Sequence, residues 1–350
     1  MSDDSLAVLL RALPRLRYLN ISGSLVHSIA HGTSGGALQS LLLRQCARVT
    51  DDTVLSLCFT NTNLRALHLN HVQISPSTVA AILPRLSRAR CGGGLALSLP
   101  PSERMADCVL EALVSVSGSL VDLDLCRTGI AKPQLTELVH QCAQLRRLSL
   151  CSSSAVSDLR FLMPKGTACA VGGCDPPCSR QQWCCRLTKL ALGACPLQDD
   201  ALIELAALVA GSSAGGPLQL RSLRLSACTA LSDAGVVPLL RLCPALEKLQ
   251  LADLPLISDV TARQLSELVE LRKIDLTNDR RVGDVAPNVI GAACRRLESV
   301  QLGGTSVSAE GCLGLLQVVP PVFSSATLPV RMHDHPQLQS LRCWKLVHFR

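Results

Sequence analysis

A six-residue unit, L-x-x-L-x-L, recurs along this 350-residue chain mostly every 25 or 26 residues. That periodicity restricts the fold more than any other feature. Clear copies are Leu120/Leu123/Leu125, Leu145/Leu148/Leu150, Leu220/Leu223/Leu225, Leu246/Leu249/Leu251, Leu271/Ile274/Leu276 and Leu297/Val300/Leu302. Others are Leu16/Leu19/Ile21, Leu38/Leu41/Leu43, Leu64/Leu67/Leu69 and Leu187/Leu190/Leu192, with a degenerate copy at Gly94/Leu97/Leu99 and a last one at Leu338/Leu341/Cys343. Each copy reads as a short strand with its leucines turned inward. Behind most of them stands an apolar residue and a Ser/Thr/Asp cluster, as in Leu231-Ser232-Asp233 and Ile257-Ser258-Asp259, followed by apolar positions at helical spacing such as Val236, Leu239 and Leu240. One strand and one helix cannot bury their apolar faces alone, but stacked copies can. The spacing therefore predicts an α/β solenoid of about twelve strand–helix repeats, a horseshoe with a parallel concave sheet and convex helices.

The expected layout is one domain over 1–350. It has an N-terminal capping helix in 1–15, repeats in 16–163, a Cys-rich loop insertion in 164–185, and repeats with a C-terminal cap in 186–350. Aromatic residues are only 2% of the chain, so the core must be built from small and branched aliphatics, which suits thin repeated layers. The same scarcity leaves few rings for stacking bases, which argues against nucleic acid as a partner. Eighteen cysteines are too sparse for a small disulfide scaffold, and Met1-Ser2-Asp3-Asp4 does not resemble a secretory leader. The longest uncharged stretch, Gly311–Val330, is broken by Pro320, Pro321 and Pro329 and reads poorly as a membrane span. These features point to a reducing, intracellular compartment, cytoplasmic or nuclear, with no membrane partner.

The cysteines carry a resemblance. Cys184-x-x-Leu187-x-x-Leu190-x-Leu192-x-x-Cys195 is similar to the cysteine-containing leucine-rich repeat. Cys142, Cys243 and Cys294 stand three residues before the first leucine of their repeats, and Cys46 and Cys228 three after the last. This pattern resembles the repeat domain of F-box/leucine-rich-repeat proteins. The resemblance implies a protein-interaction solenoid that receives substrates for a cullin-RING ubiquitin ligase. It departs in one respect: Ser5–Pro14 reads as a single capping helix before the first strand, and no F-box is visible. A ligase role would then need a docking element supplied by another subunit or by residues outside this chain. The rival expectation is a scaffold subunit of a cytoskeletal or organellar assembly, and a lesser one is an enzyme regulator.

No motif supports an enzyme: neither a P-loop, nor a G-x-S-x-G elbow, nor H-E-x-x-H is present. The carboxylates Asp51, Asp52, Asp199, Asp200, Asp233, Asp259 and Asp284 fall at expected helix starts, where capping and dipole placement account for them. The segment Pro164–Cys185 offers Cys169, Cys174, Cys178 and Cys185 as weak zinc candidates, but the spacing C-x4-C-x3-C-x5-C that runs to Cys184 fits no standard knuckle and Cys184 already belongs to a repeat. A protruding turn-rich loop is expected there, with no metal and no cofactor. His333-Asp334-His335 lacks a third ligand, and Asn20-Ile21-Ser22 lies within a strand.

Strand alternation marks the partner-binding face. If the leucines point inward, the residues flanking them line the concavity. In the C-terminal half these include Arg147, Lys189, Arg224, Lys248, Gln250, Lys273, Asp275, Arg342 and Trp344. The N-terminal half offers Tyr18, Asn20, Arg44, His68, Asn70, Asp122 and Asp124. The first set is dominantly basic, as is the chain at +7, so an acidic peptide or acidic protein face is the expected partner.

Overall fold

The computed structural model describes residues 3–27, 37–86, 94–162, 186–211 and 217–312. They fall into two compact units: residues up to 155 with 161–162 in one, and 156–160 with 186 onward in the other. The N-terminal unit runs α1 (Asp3–Ala12), β1 (Tyr18–Asn20), β2 (Ser40–Leu42), α2 (Asp51–Thr60), β3 (Ala66–His68), α3 (Pro76–Leu86), β4 (Leu95–Ser98), α4 (Asp107–Val116), β5 (Leu120–Asp124), α5 (Lys132–Gln141) and β6 (Arg147–Ser149). The C-terminal unit runs β7 (Lys189–Ala191), α6 (Asp199–Gly211), β8 (Ser222–Arg224), α7 (Asp233–Arg241), β9 (Lys248–Gln250), α8 (Asp259–Gln264), β10 (Lys273–Asp275), α9 (Val285–Ala293) and β11 (Ser299–Gln301).

Every leucine motif within the described residues forms a strand, and in each unit consecutive strands pair parallel, in register except for one shift between β4 and β5. Each unit is an α/β leucine-rich-repeat solenoid. The second apolar position of each motif is buried, Leu19, Leu41, Leu67, Leu97, Leu123 and Leu148 in one unit and Leu190, Leu223, Leu249, Ile274 and Val300 in the other. Burial of each stabilises by roughly 1.5–3 kcal/mol relative to exposure. The degenerate repeat differs from expectation: Leu95, not Gly94, takes the first core position, and the register shifts so that Leu95 faces Leu120 while Ala96 faces Asp122. A Cβ at Gly94 would strike Val121, the β5 residue that the shift skips.

Two local devices join one repeat to the next. The first is a turn. Two residues after the last strand leucine the backbone enters the left-handed region, at Gln45, His71, Arg127, Ser152, Ala194, Ala227, Asp253 and Asn278. L-residues ordinarily avoid that conformation. It persists because the amide so turned donates to a carbonyl of the following repeat, as from Ala194 to Ser226 (2.8 Å) and from Ala227 to Ala252 (2.9 Å).

The second is an aspartate bracket. Ser232 and Ser258 cap α7 and α8, their hydroxyls accepting from Ala234 and Val260, as expected of N-caps. The aspartates beside them, however, reach across to the next repeat rather than serving only their own helix. Asp233 accepts from the Ser258 amide (2.9 Å) and hydroxyl (2.6 Å) and from the Thr261 amide (3.0 Å) and hydroxyl (2.6 Å). Asp51 accepts from Ser75, Asp259 from Gly283 and Asp284 from Ser308 in the same way. Burial alone would raise the Asp233 carboxyl, but these four donors outweigh it and hold it below its ordinary value. Asp199 likewise accepts from the Ser232 amide (2.8 Å) and hydroxyl (2.5 Å), and Gly235 leaves it room, since a Cβ there would lie 2.4 Å from an Asp199 carboxylate oxygen.

Candidate functional site

Parallel pleating turns the residues on either side of each buried strand centre outward, in rows that run from strand to strand. In the C-terminal unit one row is Lys189, Ser222, Lys248, Lys273 and Ser299, and the other is Arg224, Gln250, Asp275 and Gln301, which begins at the buried Ala191. Lys189, Arg224, Lys248 and Lys273 are exposed, while Gln250 and Asp275 are half-buried between them. The Arg224 guanidinium donates to Gln250 (2.6 Å), and Asp275 accepts from the amide and hydroxyl of Thr277 (3.1 and 2.6 Å). Among the described residues no ion pair reaches any of the three lysines. Lys248 and Lys273 are direct neighbours on adjacent strands, a like-charge arrangement that destabilises the sheet by itself. Beside these rows the signs alternate: Arg221 pairs with Glu247 (2.6 Å), Arg272 with Glu298 (2.8 Å), and Arg296 with Glu270.

The corresponding face of the N-terminal unit is internally connected. Arg147 pairs with Asp122 on the adjacent strand at 2.9 Å. A relay then crosses the sheet: Arg44 to His68 (3.3 Å), His68 to Ser98 (3.1 Å), Ser98 donating to Asn70 (2.6 Å), and Asn70 donating to Asp124 (3.1 Å). Burial and the Arg44 charge lower the His68 imidazole below its ordinary value. The Ser98–His68 contact is not an activated nucleophile, because Ser98 is fully buried and its proton goes to Asn70.

Of the residues expected on the partner face, Lys189, Arg224, Lys248, Gln250, Lys273 and Asp275 share one surface, across β7 to β10. Arg147 stands in the other unit with its charge compensated. Arg342 and Trp344 lie outside the described residues, as do Cys169, Cys174, Cys178, Cys185 and His333-Asp334-His335. Among the described residues no three donors of the His, Cys, Asp or Glu type form a metal cluster, and no helix is long and apolar enough to cross a membrane.

Sequence reasoning missed two features. Asp279 occupies the position held by Cys46 and Cys228 in other repeats and is fully buried, with one carboxylate oxygen accepting from the Leu254 amide (2.7 Å) and the other unpaired. Burial, opposed by that amide and reinforced by Asp253 and Asp275, pushes its carboxyl up to about 8. The second is a cysteine pair, Cys126 and Cys151, at the same step of two consecutive repeats. L-D-L-C followed 25 residues later by L-S-L-C was the available signal.

Comparison with known proteins accords with this architecture. The chain is 28% identical over 211 residues to F-box/LRR-repeat protein 4 from Bos taurus, matching 59% of this chain and 30% of that protein. It is similar to an F-box/leucine-rich-repeat protein. It spans less than a third of that relative's length. Among solved structures, Rad7 in the yeast Rad7–Elc1 complex superposes with a TM-score of 0.58 at 17% identity, covering 90% of this chain and 70% of Rad7. An internalin from Listeria monocytogenes aligns with a TM-score of 0.49 at 19% identity, over 89% of this chain and 81% of its own. No family model matches.

Proposed function

We propose that this chain is a non-catalytic recognition solenoid that grips an acidic protein segment along the concave face of its C-terminal unit. We further propose that it acts as a substrate-recognition component of a cullin-RING ubiquitin ligase of the F-box type. One observation carries the first part: Lys189, Lys248 and Lys273 lie in one strand-to-strand row with no ion pair among the described residues. Over β7 to β10 that row extends for about 15 Å at the usual strand spacing. An extended acidic chain would relieve the repulsion within it. The second part is supported by the similarity to F-box/LRR-repeat protein 4 and by Rad7, which shares the fold and was solved in complex with Elc1. The compartment is intracellular on this reading.

The test uses a fluorescein-labelled glutamate-rich peptide and anisotropy. The unaltered chain should bind with an affinity that falls as salt rises. Joint replacement Lys189→Glu, Lys248→Glu and Lys273→Glu should weaken binding about tenfold or more without lowering the thermal midpoint. Unchanged binding would remove the concave row from consideration. Co-purification addresses the ligase assignment: a cullin and its adaptor accompany a substrate receptor, whereas a structural scaffold brings partners without them.

A further inference from the structure

We propose that Cys126 and Cys151 form a reversible dithiol–disulfide modification site that reacts with low-molecular disulfides of the glutathione class. Most other repeat cysteines are buried and aim at carbonyls. Cys46 donates to Ile21 and Cys228 to Leu192, both at 3.1 Å, and Cys294 sits 3.6 Å from the Leu265 and Leu268 oxygens. Cys142 and Cys243 are buried, beyond the reach of a dissolved disulfide. The Cys126–Cys151 pair is placed differently. Each residue follows the last strand leucine of its repeat, is only half-buried, and directs its sulfur at the other. The Cys151 amide also donates to the Cys126 sulfur at 3.1 Å.

Geometry permits the bond. The register of β5 with β6 continues past Asp124 and Ser149, since the Arg127 amide donates to the Cys151 carbonyl at 3.1 Å. Cys126 and Cys151 therefore stand side by side in the turns that follow β5 and β6, at about the strand spacing of 4.8 Å. Disulfides span Cα separations of about 4.4–6.8 Å. Among the described residues no group of His, Cys, Asp and Glu at the pair could hold a metal, and the chemistry proposed for it is two-electron thiol exchange.

One protein thiol loses its proton and attacks the sulfur–sulfur bond of oxidised glutathione, forming a mixed disulfide and releasing one glutathione thiolate. The second thiol, deprotonated in turn, displaces the other glutathione and closes the protein disulfide. The protein loses two electrons and two protons, and the oxidant leaves as two thiols. The Cys151 hydrogen bond, burial and the Asp124 carboxylate all hold the Cys126 thiol protonated, so the exchange is slow at neutral pH and quickens in mild alkali.

The reduced full-length chain is incubated with oxidised glutathione at mildly alkaline pH, the remaining thiols are blocked, and an unreduced digest is weighed by mass spectrometry. The expected product is a peptide pair joined through Cys126 and Cys151 that separates again on reduction. In C151S, Cys126 should instead retain a glutathione adduct. The oxidised chain should also melt at a higher temperature than the reduced one, because the bond bridges residues 25 apart. Separate alkylation of Cys126 and Cys151, a persistent glutathione adduct in the unaltered chain, or joining of Cys126 to a different cysteine would each overturn the assignment.

Discussion

The two units are built from one repeat, yet their concave faces handle charge in opposite ways. In the N-terminal unit Asp122 and Asp124 stand among Arg147, Arg44 and His68, and the hydrogen-bond relay through Ser98 and Asn70 binds β2, β3, β4 and β5 together. Such a face satisfies itself, and an incoming acid would have to displace contacts already made. In the C-terminal unit the same positions carry lysines in register, and the acidic residue within reach, Asp275, is turned to Thr277. The lesson is general for repeat proteins. The inward positions are fixed by the need to bury leucine, so the outward ones are free to become either a brace or a docking surface.

If the units differ only on their faces, their cores should respond alike. Leu123→Ala and Leu249→Ala, both at fully buried strand centres, should each destabilise by roughly 2–5 kcal/mol in chemical denaturation. A large difference between them would show that the contrast reaches into the core. One core position does differ. Where other repeats of the two units place Cys46, Thr128, Ser153, Cys228 or Thr305, one repeat of the C-terminal unit places the buried carboxyl of Asp279. Because its folded pKa is raised from 3.8 to about 8, the native chain keeps a proton that the unfolded chain has lost. Stability should fall as pH climbs through that window and level off above it. Asp279→Asn retains the acceptor for Leu254 and should abolish the slope, gaining about 1–3 kcal/mol at alkaline pH and nothing in strong acid. Thermal melts across pH check both the sign and the window.

The periodicity made the fold readable because hydrophobic burial repeats in step with the backbone: each described leucine motif became a strand. The failures came where a residue's role depends on a neighbour one repeat away. Asp233 looks like a helix-start residue in sequence, and only the stacking of repeats places it against Ser258 and Thr261. The left-handed turns fell on Ala194, Ala227 and Asn278, residues with no glycine to announce them. Gly94 stands at the motif's first position in sequence, whereas the register shift between β4 and β5 puts Leu95 at that core position. The basic face was partly legible. Alternation placed Lys189, Arg224, Lys248 and Lys273 on one surface, but Arg147 could be known to be compensated only once Asp122 was seen beside it.

That last distinction yields the smallest and most direct measurement. Asp122→Asn removes the partner of Arg147, a half-exposed ion pair, and should cost the N-terminal unit about 0.2–1 kcal/mol. Lys248→Glu does the reverse in the C-terminal unit: it replaces a like-charge neighbour of Lys273 with an opposite one and should stabilise by a similar amount. Loss of a charge and reversal of a charge thus have opposite signs on the two faces, although both act on outward-facing side chains of the same strand position. Both effects should shrink towards zero in molar salt, where the screening length falls to about 3 Å. If Lys248→Glu instead destabilised at low salt and the loss survived screening, the lysine row would be held by packing rather than opposed by repulsion. The reason for assigning an acidic occupant to that face would then disappear, while the compensated face of the N-terminal unit would stand as described.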